Sequence, residues 1–234
     1  MAVLWPDCLT RALHRLEAPV PMRLTRITID RFRAAPVGVL RVETRVLGAG
    51  RRIQSVEVNL LDDETTVARA SALRIRRELA LGVLATKDSI DPLLGQPPIE
   101  IPPRPKKEGF GNPDGFSNAV DMADGEETES GLPASLWTRL RCRFMEDEDT
   151  EPIVQLATLA DFASGTGNHM DFTRYSSINP DLSIHILREP RSEWIGIRGM
   201  SQRANDGIGQ SIATLHDLEG PVATVSATLL LDDR

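Results

Sequence analysis

The sequence predicts an α+β fold made of two tandem copies of one unit, each a helix packed on an antiparallel β-sheet. Three observations carry this. First, the chain matches itself without gaps at an offset of 155 positions. Ile29, Arg33, Ala49, Ile53, Leu60, Asp62, Glu64, Val67, Ala68, Ser71 and Ala72 recur as Ile184, Arg188, Ala204, Ile208, Leu215, Asp217, Glu219, Val222, Ala223, Ser226 and Ala227. Composition alone would give roughly 3 such identities, and a constant period marks a repeated structural unit. Second, each half holds a short stretch with apolar residues at helical spacing. Third, each helix precedes four runs of alternating, β-branched-rich sequence.

In the first copy, Leu4, Cys8, Leu9, Ala12, Leu13 and Leu16 share one face of a helix over 4–17, with Thr10, Arg11 and Arg15 elsewhere, and Pro19 and Pro21 end it. Strands are expected over 23–33 and over 37–47, where Val37, Val39, Leu40, Val42 and Val46 are apolar. Gly48-Ala49-Gly50 reads as a turn. Ile53, Val56, Val58 and Leu60 mark a third strand, Asp62-Asp63-Glu64 a turn, and Val67 to Ile75 a fourth strand.

Seven prolines between Pro92 and Pro113 and the acidic run Asp121 to Glu129 leave little apolar surface to offset ordering entropy. The expected organisation is therefore 1–78 as the first copy, 79–134 as a partly disordered Pro-rich linker and 135–234 as the second copy. The basic pair Lys106-Lys107 reads as part of a solvated linker. Trp137, Leu140, Cys142 and Phe144 suit a strand, Met145 to Glu151 an acidic loop, and Ile153, Leu156, Ala157, Leu159 and Ala160 the second helix. Strands follow at 181–188, 194–203, 208–217 and 221–231. The strand ahead of the second helix has no counterpart in the first copy.

A chain of 234 residues, 41% apolar and 26% charged, has ordinary globular composition. A net charge of −7 argues against sequence-independent nucleic-acid binding, which needs a basic face to displace counterions. Cys8 and Cys142 make neither a disulfide framework nor a Cys-rich metal site, so a reducing cytoplasm is the expected location. No signal peptide is expected from Met1 to Asp7, and no segment approaches the ~18 apolar residues of a membrane span. His14, His169, His185 and His216 lack metal-ligand spacing, so no metal is expected. Gly165-Thr166-Gly167 lacks the context of a nucleotide-binding loop.

Several stretches resemble the double-hotdog acyl-CoA thioesterases, and more closely the bacterial thioesterase-like group within them. They are Leu159-Ala160-Asp161-Phe162, Ile178-Asn179-Pro180-Asp181-Leu182-Ser183-Ile184-His185, Arg188-Glu189-Pro190 with Glu193-Trp194-Ile195, and Leu215 through Ala223. In the first copy Arg23-Leu24-Thr25, Phe32-Arg33-Ala34-Ala35-Pro36 and Gly50 through Gln54 look typical too. The resemblance covers most of 4–76 and 136–231. It implies a double hotdog with curved sheets, hydrolysis of a fatty or related acyl-CoA, coenzyme A as part of the substrate rather than a cofactor, and a homodimer or higher homo-oligomer. In such enzymes an Asp, a Thr or Asn, and a Gln orient a water, and the acyl chain lies between helix and sheet. The Asp matches Asp161, and the second position falls on Asn179, with Ser177 a near alternative. The Gln position falls on Thr228 or, one residue earlier, Ala227, so the Gln is absent. The sequence also begins past the His-Gly-Gly turn that relatives often carry ahead of the first helix.

Water attack on a thioester needs an orienting acceptor, plus donors for the developing oxyanion. Asp161 follows an apolar helical run, where an acid is costly unless paired or used; capping the Gly165–Gly167 loop is the structural alternative. Asn179 can donate and accept, but an Asn before Pro180 also commonly starts a turn. Thr228 can offer a hydroxyl, though on a strand Thr is often only a good β-former. Arg33 and Arg188, being repeated, read as structural. The leading expectation is a thioesterase with Asp161, Asn179 and Thr228 at its centre. The alternative is a non-catalytic acyl-thioester-binding relative, and a hydratase acting on an enoyl thioester is a third.

Overall fold

The computed structural model describes residues 5–77, 116–125, 135–145, 147–168 and 170–234. The first copy opens with α1 (Trp5–Arg15) and continues with β1 (Met22–Arg31), β2 (Arg41–Ala49), β3 (Ile53–Asp62) and β4 (Thr65–Arg76). Leu9 and Leu13 are fully buried, as their spacing requires. Thr10 is fully buried as well, although the helical pattern left it off the apolar face. The reason is that α1 is covered twice, by the sheet and by α2 (Pro152–Leu159). Arg74 of β4 is also buried, and its guanidinium donates to the Leu16 carbonyl oxygen at 2.8 Å just past the end of α1.

β2 differs from its sequence expectation. Val37, Val39 and Leu40 precede the strand, while Gly48 and Ala49 belong to it. A register shift between Val46 and Gly48 absorbs an extra residue. The chain reverses at Gly50, where a Cβ would lie 2.6 Å from the Ile53 carbonyl oxygen.

The second copy contains β5 (Val120–Asp124), β6 (Ser135–Leu140), α2, a 3₁₀ turn over Ala160–Ser164, β7 (Tyr175–Ile178), β8 (Asp181–Ile186), β9 (Ile195–Arg203), β10 (Ile208–Asp217) and β11 (Gly220–Asp233). β5 lies inside the segment expected to be irregular linker, and so does the short 3₁₀ helix Phe116–Ala119 before it. The acidic run there is not wholly solvated. Asp121 accepts from Arg139 at 2.9 Å and pairs with Arg141 at 3.3 Å, and Val120 and Ala123 are buried. The strand expected over 136–144 stops at Leu140. β7, which the pattern did not predict, pairs with the end of β11. Residues 78–115 and 126–134, including Lys106-Lys107, and His169 lie outside the described residues.

Among the described residues the strands form one 11-stranded sheet in the order β2-β3-β4-β1-β8-β11-β10-β9-β6-β5, with β7 off this path. The copies meet where β1 runs antiparallel to β8. Thr28 faces Ser183, its own counterpart 155 positions on, and their hydroxyls lie 3.1 Å apart. A pseudo-two-fold axis therefore passes through that pair. The homologous ladders share one register over most of their length: Ile29↔Ala70 becomes Ile184↔Val225, Val56↔Ala72 becomes Ser211↔Ala227, and Val46↔Val56 becomes Ser201↔Ser211, although the shift between Val46 and Gly48 has no counterpart in β9–β10. Even the irregularity at Leu60/Leu61 recurs at Leu215/His216. One core cluster joins both helices and both sets of strands, on the face of the sheet that the helices cover.

Candidate active site

The polar feature at the junction of the copies grows out of α2. That helix is apolar nearly all round, burying Ile153, Val154, Leu156, Ala157 and Leu159, and its one buried hydroxyl, Thr158, donates to the Val154 carbonyl at 2.8 Å. The chain then tightens into the 3₁₀ turn Ala160–Ser164, and Asp161 lies in the first turn of it. Carbonyls at a helix end need outside partners. Here side chains supply them in series: Ser164 donates to the Asp161 carbonyl, Thr166 to that of Phe162, Ser211 to that of Ala163 and Asn168 to that of Ser164. Gly167 then presses against β9. Its φ of 68° favours glycine, and a Cβ would sit 2.3 Å from the Gly199 carbonyl oxygen. Phe116, from the segment before β5, stacks on Phe162 with ring centroids 5.5 Å apart.

On this platform the Asp161 carboxylate turns away from the Gly165–Gly167 loop toward the first copy. Its Oδ1 accepts from Arg31 Nη2 at 2.5 Å and from Asn179 Nδ2 at 2.8 Å. Arg31 Nη1 donates to Asn179 Oδ1 at 3.1 Å, closing a triangle in which the amide both donates and accepts. Asp161 Oδ2 has no hydrogen-bond partner among the described residues. The side chains of Arg31 and Asp161 are 20% and 33% exposed, so the cluster is shielded yet reachable.

Two of the three sequence candidates are thus in contact, and Thr228 is not with them. Strand side chains alternate between faces. Ala227 is buried on the helix-covered face, opposite Ser211, whereas Thr228 is exposed on the other and its backbone N–H donates to Asp181 Oδ1 at 2.8 Å. The sheet thus puts position 227, not 228, on the side of Asp161. Ser177, the alternative to Asn179, pairs with Leu231 within the β7–β11 ladder. Arg31 went unnoticed in the sequence. Its signal was there: it continues the core-facing row Ile27, Ile29 of β1, where a charge is out of place.

Two other charged groups show how burial acts in this fold. Asp217 is buried, which alone would raise its pKa. The Arg188 guanidinium and the N–H groups of Arg191 and Glu219 outweigh that and hold it below the ordinary carboxylate value. Arg188 thereby braces Asp217, whereas its repeat, Arg33, is exposed. At the opposite end of α2 from Asp161 lies a cavity of about 230 Å³, lined in part by Asp7, Cys8, Ala12, Val42, Phe144 and Val154. Burial there pushes the Asp7 carboxyl up to about 6 and, with the neighbouring Asp7, the Cys8 thiol up to about 12. Among the described residues no group of three or more His, Cys, Asp or Glu is placed to hold a metal ion, and no helix is long and apolar enough to cross a membrane.

The acyl-CoA thioesterase N-terminal domain family matches residues 8–75, and the acyl-CoA thioesterase C-terminal domain family matches residues 98–231. The chain belongs to the acyl-CoA thioesterase family. The C-terminal match begins well inside the segment expected to be linker, in keeping with β5 as part of the second copy. No curated protein matches the sequence. Among solved structures, the tesB protein of Mycobacterium avium subs paratuberculosis is 15% identical with a TM-score of 0.65, covering 99% of this chain and 88% of that one. Acyl-CoA thioesterase II TesB2 from Mycobacterium marinum is 15% identical with a TM-score of 0.69, covering 98% and 87%. A hot dog fold protein from Alicyclobacillus acidocaldarius is 12% identical with a TM-score of 0.66, covering 97% and 85%. At these identities the likeness is one of fold, and the fold of this thioesterase-family chain is the double hotdog.

Proposed function

We propose that the chain hydrolyses a fatty or related acyl-CoA, with Asp161 orienting the attacking water and Asn179 assisting. The observation that supports this is the convergence of two donors on one oxygen of Asp161, which leaves Oδ2 to accept from a water. In the reaction that water adds to the thioester carbonyl carbon, the C–S bond breaks, and the CoA sulfur leaves and takes up a proton. Free acid and CoA result. Asp161 accepts a hydrogen bond from the water and aims its lone pair; Asn179 and Arg31 keep the carboxylate from turning.

The test is thiol release from short- to long-chain acyl-CoAs by the protein and by Asp161→Ala, with circular dichroism to check the fold. Turnover should fall by about 100-fold or more in the variant. Equal turnover in both would refute the assignment of Asp161.

One feature favours a second reading, a relative that binds an acyl thioester without efficient hydrolysis: Ala227 stands on the site's face where the resemblance calls for an amide. Under that reading no acyl-CoA is turned over by the unaltered chain, and Ala227→Gln raises turnover.

A further inference from the structure

We infer that Arg31, carried by the first copy, is a positioning residue for the site in the second: it locks Asp161 and Asn179 to each other so that Asp161 Oδ2 stays aimed at the water. The inference rests on the reading of Asp161 as the water-orienting group.

The geometry is that of a fork. One guanidinium nitrogen reaches Asp161 at 2.5 Å and the other reaches Asn179 at 3.1 Å, and these acceptors come from two separate segments, the turn after α2 and the loop before β8. A planar, always-charged group can hold two acceptors at fixed spacing, which a point-like ammonium cannot. The fork is anchored from behind as well. The backbone N–H of Arg31 donates to the Pro180 carbonyl at 2.8 Å, next to Asn179, so its Cα is fixed relative to the amide without help from the side chain.

The repeat gives an independent argument. Shifted by 155 positions, Arg31 corresponds to Ile186, and Asn179 corresponds to Leu24; both counterparts are buried and apolar. The pseudo-two-fold axis therefore relates the Arg31 and Asn179 corner of a polar triangle to two buried apolar side chains. If β1 needed only a side chain to fill that end of the core row, the solution at Ile186 was available. A guanidinium in such a place carries a desolvation cost that only specific partners offset. Arg31 departs from the repeat at the place where the second copy's carboxylate and amide require a donor. Each chain then has a single centre, and it is incomplete without the first copy.

The experiment compares Arg31→Met, Arg31→Lys, Asp161→Ala and the Arg31→Met/Asp161→Ala double variant by steady-state kinetics on the best acyl-CoA substrate, with thermal unfolding alongside. Arg31→Met should lower kcat by about 10- to 100-fold while KM changes by less than about threefold. Arg31→Lys should recover part of the loss, and the double variant should be no slower than Asp161→Ala alone. With Asp161→Ala inactive, an Arg31→Met enzyme within about twofold of the unaltered kcat overturns the inference. A loss confined to KM, or one accounted for by the unfolded fraction, overturns it equally. If Asp161→Ala keeps full activity, or no acyl-CoA is turned over by the unaltered chain, the underlying reading falls and takes this inference with it.

Discussion

Ala227 and Thr228 are neighbours in β11 with opposite fates, one buried toward the helices and one facing solvent. Thr228→Gln should leave stability within about 0.5 kcal/mol and turnover unchanged, because the new amide stays on the far face. Ala227→Gln adds volume to a packed position and should cost about 1–3 kcal/mol in urea unfolding. Asp7 offers a test in pH. Its folded pKa of about 6 lies above the ordinary 3.8, so the protonated form fits the fold and stability falls as pH rises through about 6. Asp7→Asn should therefore raise the melting temperature above about pH 6 and leave it unchanged in acid. At this scale the sequence pointed to Asp161 as an acid after an apolar helix, and to Asn179 only through the family resemblance, because an amide before a proline reads equally well as the start of a turn. Arg31 escaped because the repeat draws the eye to positions that agree, such as Arg33 and Arg188, and Arg31 matters where the copies disagree.

The turn after α2 holds its four carbonyls by side chains and docks by a glycine, so it behaves as one unit. Gly167→Ala combines a positive φ with a backbone clash at 2.3 Å, and should cost at least about 1–3 kcal/mol and reduce turnover by shifting Asp161. The β10–β11 turn is braced differently, by the Asp217 carboxylate. Removing one partner of a buried pair costs about 3–5 kcal/mol; with Arg188 26% exposed, Asp217→Asn should lie at the lower end. The folded pKa of Asp217 is depressed, so its stabilisation is complete above the ordinary value of 3.8 and is lost as pH falls below it. The gap in unfolding free energy between Asp217→Asn and the unaltered chain should therefore narrow in acid. Elements with a strong period were legible: α1, β1, β3, β4 and the strands from β8 onward. β5 was not, because its acids looked like solvated charge and their partners, Arg139 and Arg141, lie on the far side of the hairpin. β2 was misplaced at both ends: Val37, Val39 and Leu40 are apolar but lie ahead of the strand, and a bulge carries it through Gly48 and Ala49, which read as a turn.

The 155-residue offset seen in the sequence is a symmetry operation in space, since Thr28 meets Ser183 across the junction. Expressed alone, residues 116–234 would bare the β8 edge, and Ser183 could face a second Ser183 in the register that now joins the copies. Such a fragment should form a true two-fold dimer by sedimentation. Its partner strand would bring Ile186 where Arg31 now stands, and thioester hydrolysis should be lost even though Asp161 and Asn179 are present. At the far end of the sheet β2 exposes all nine of its residues. One face of that strand carries Arg41, Glu43 and Arg45 in alternation. An exposed strand edge is a template for adding strands from other molecules, and charges along it discourage the addition. The three charges thus serve as a guard against fibre growth: replacing them with valine or threonine should turn a dispersed protein into one that aggregates on concentration, with no loss in the catalytic rate of whatever remains in solution.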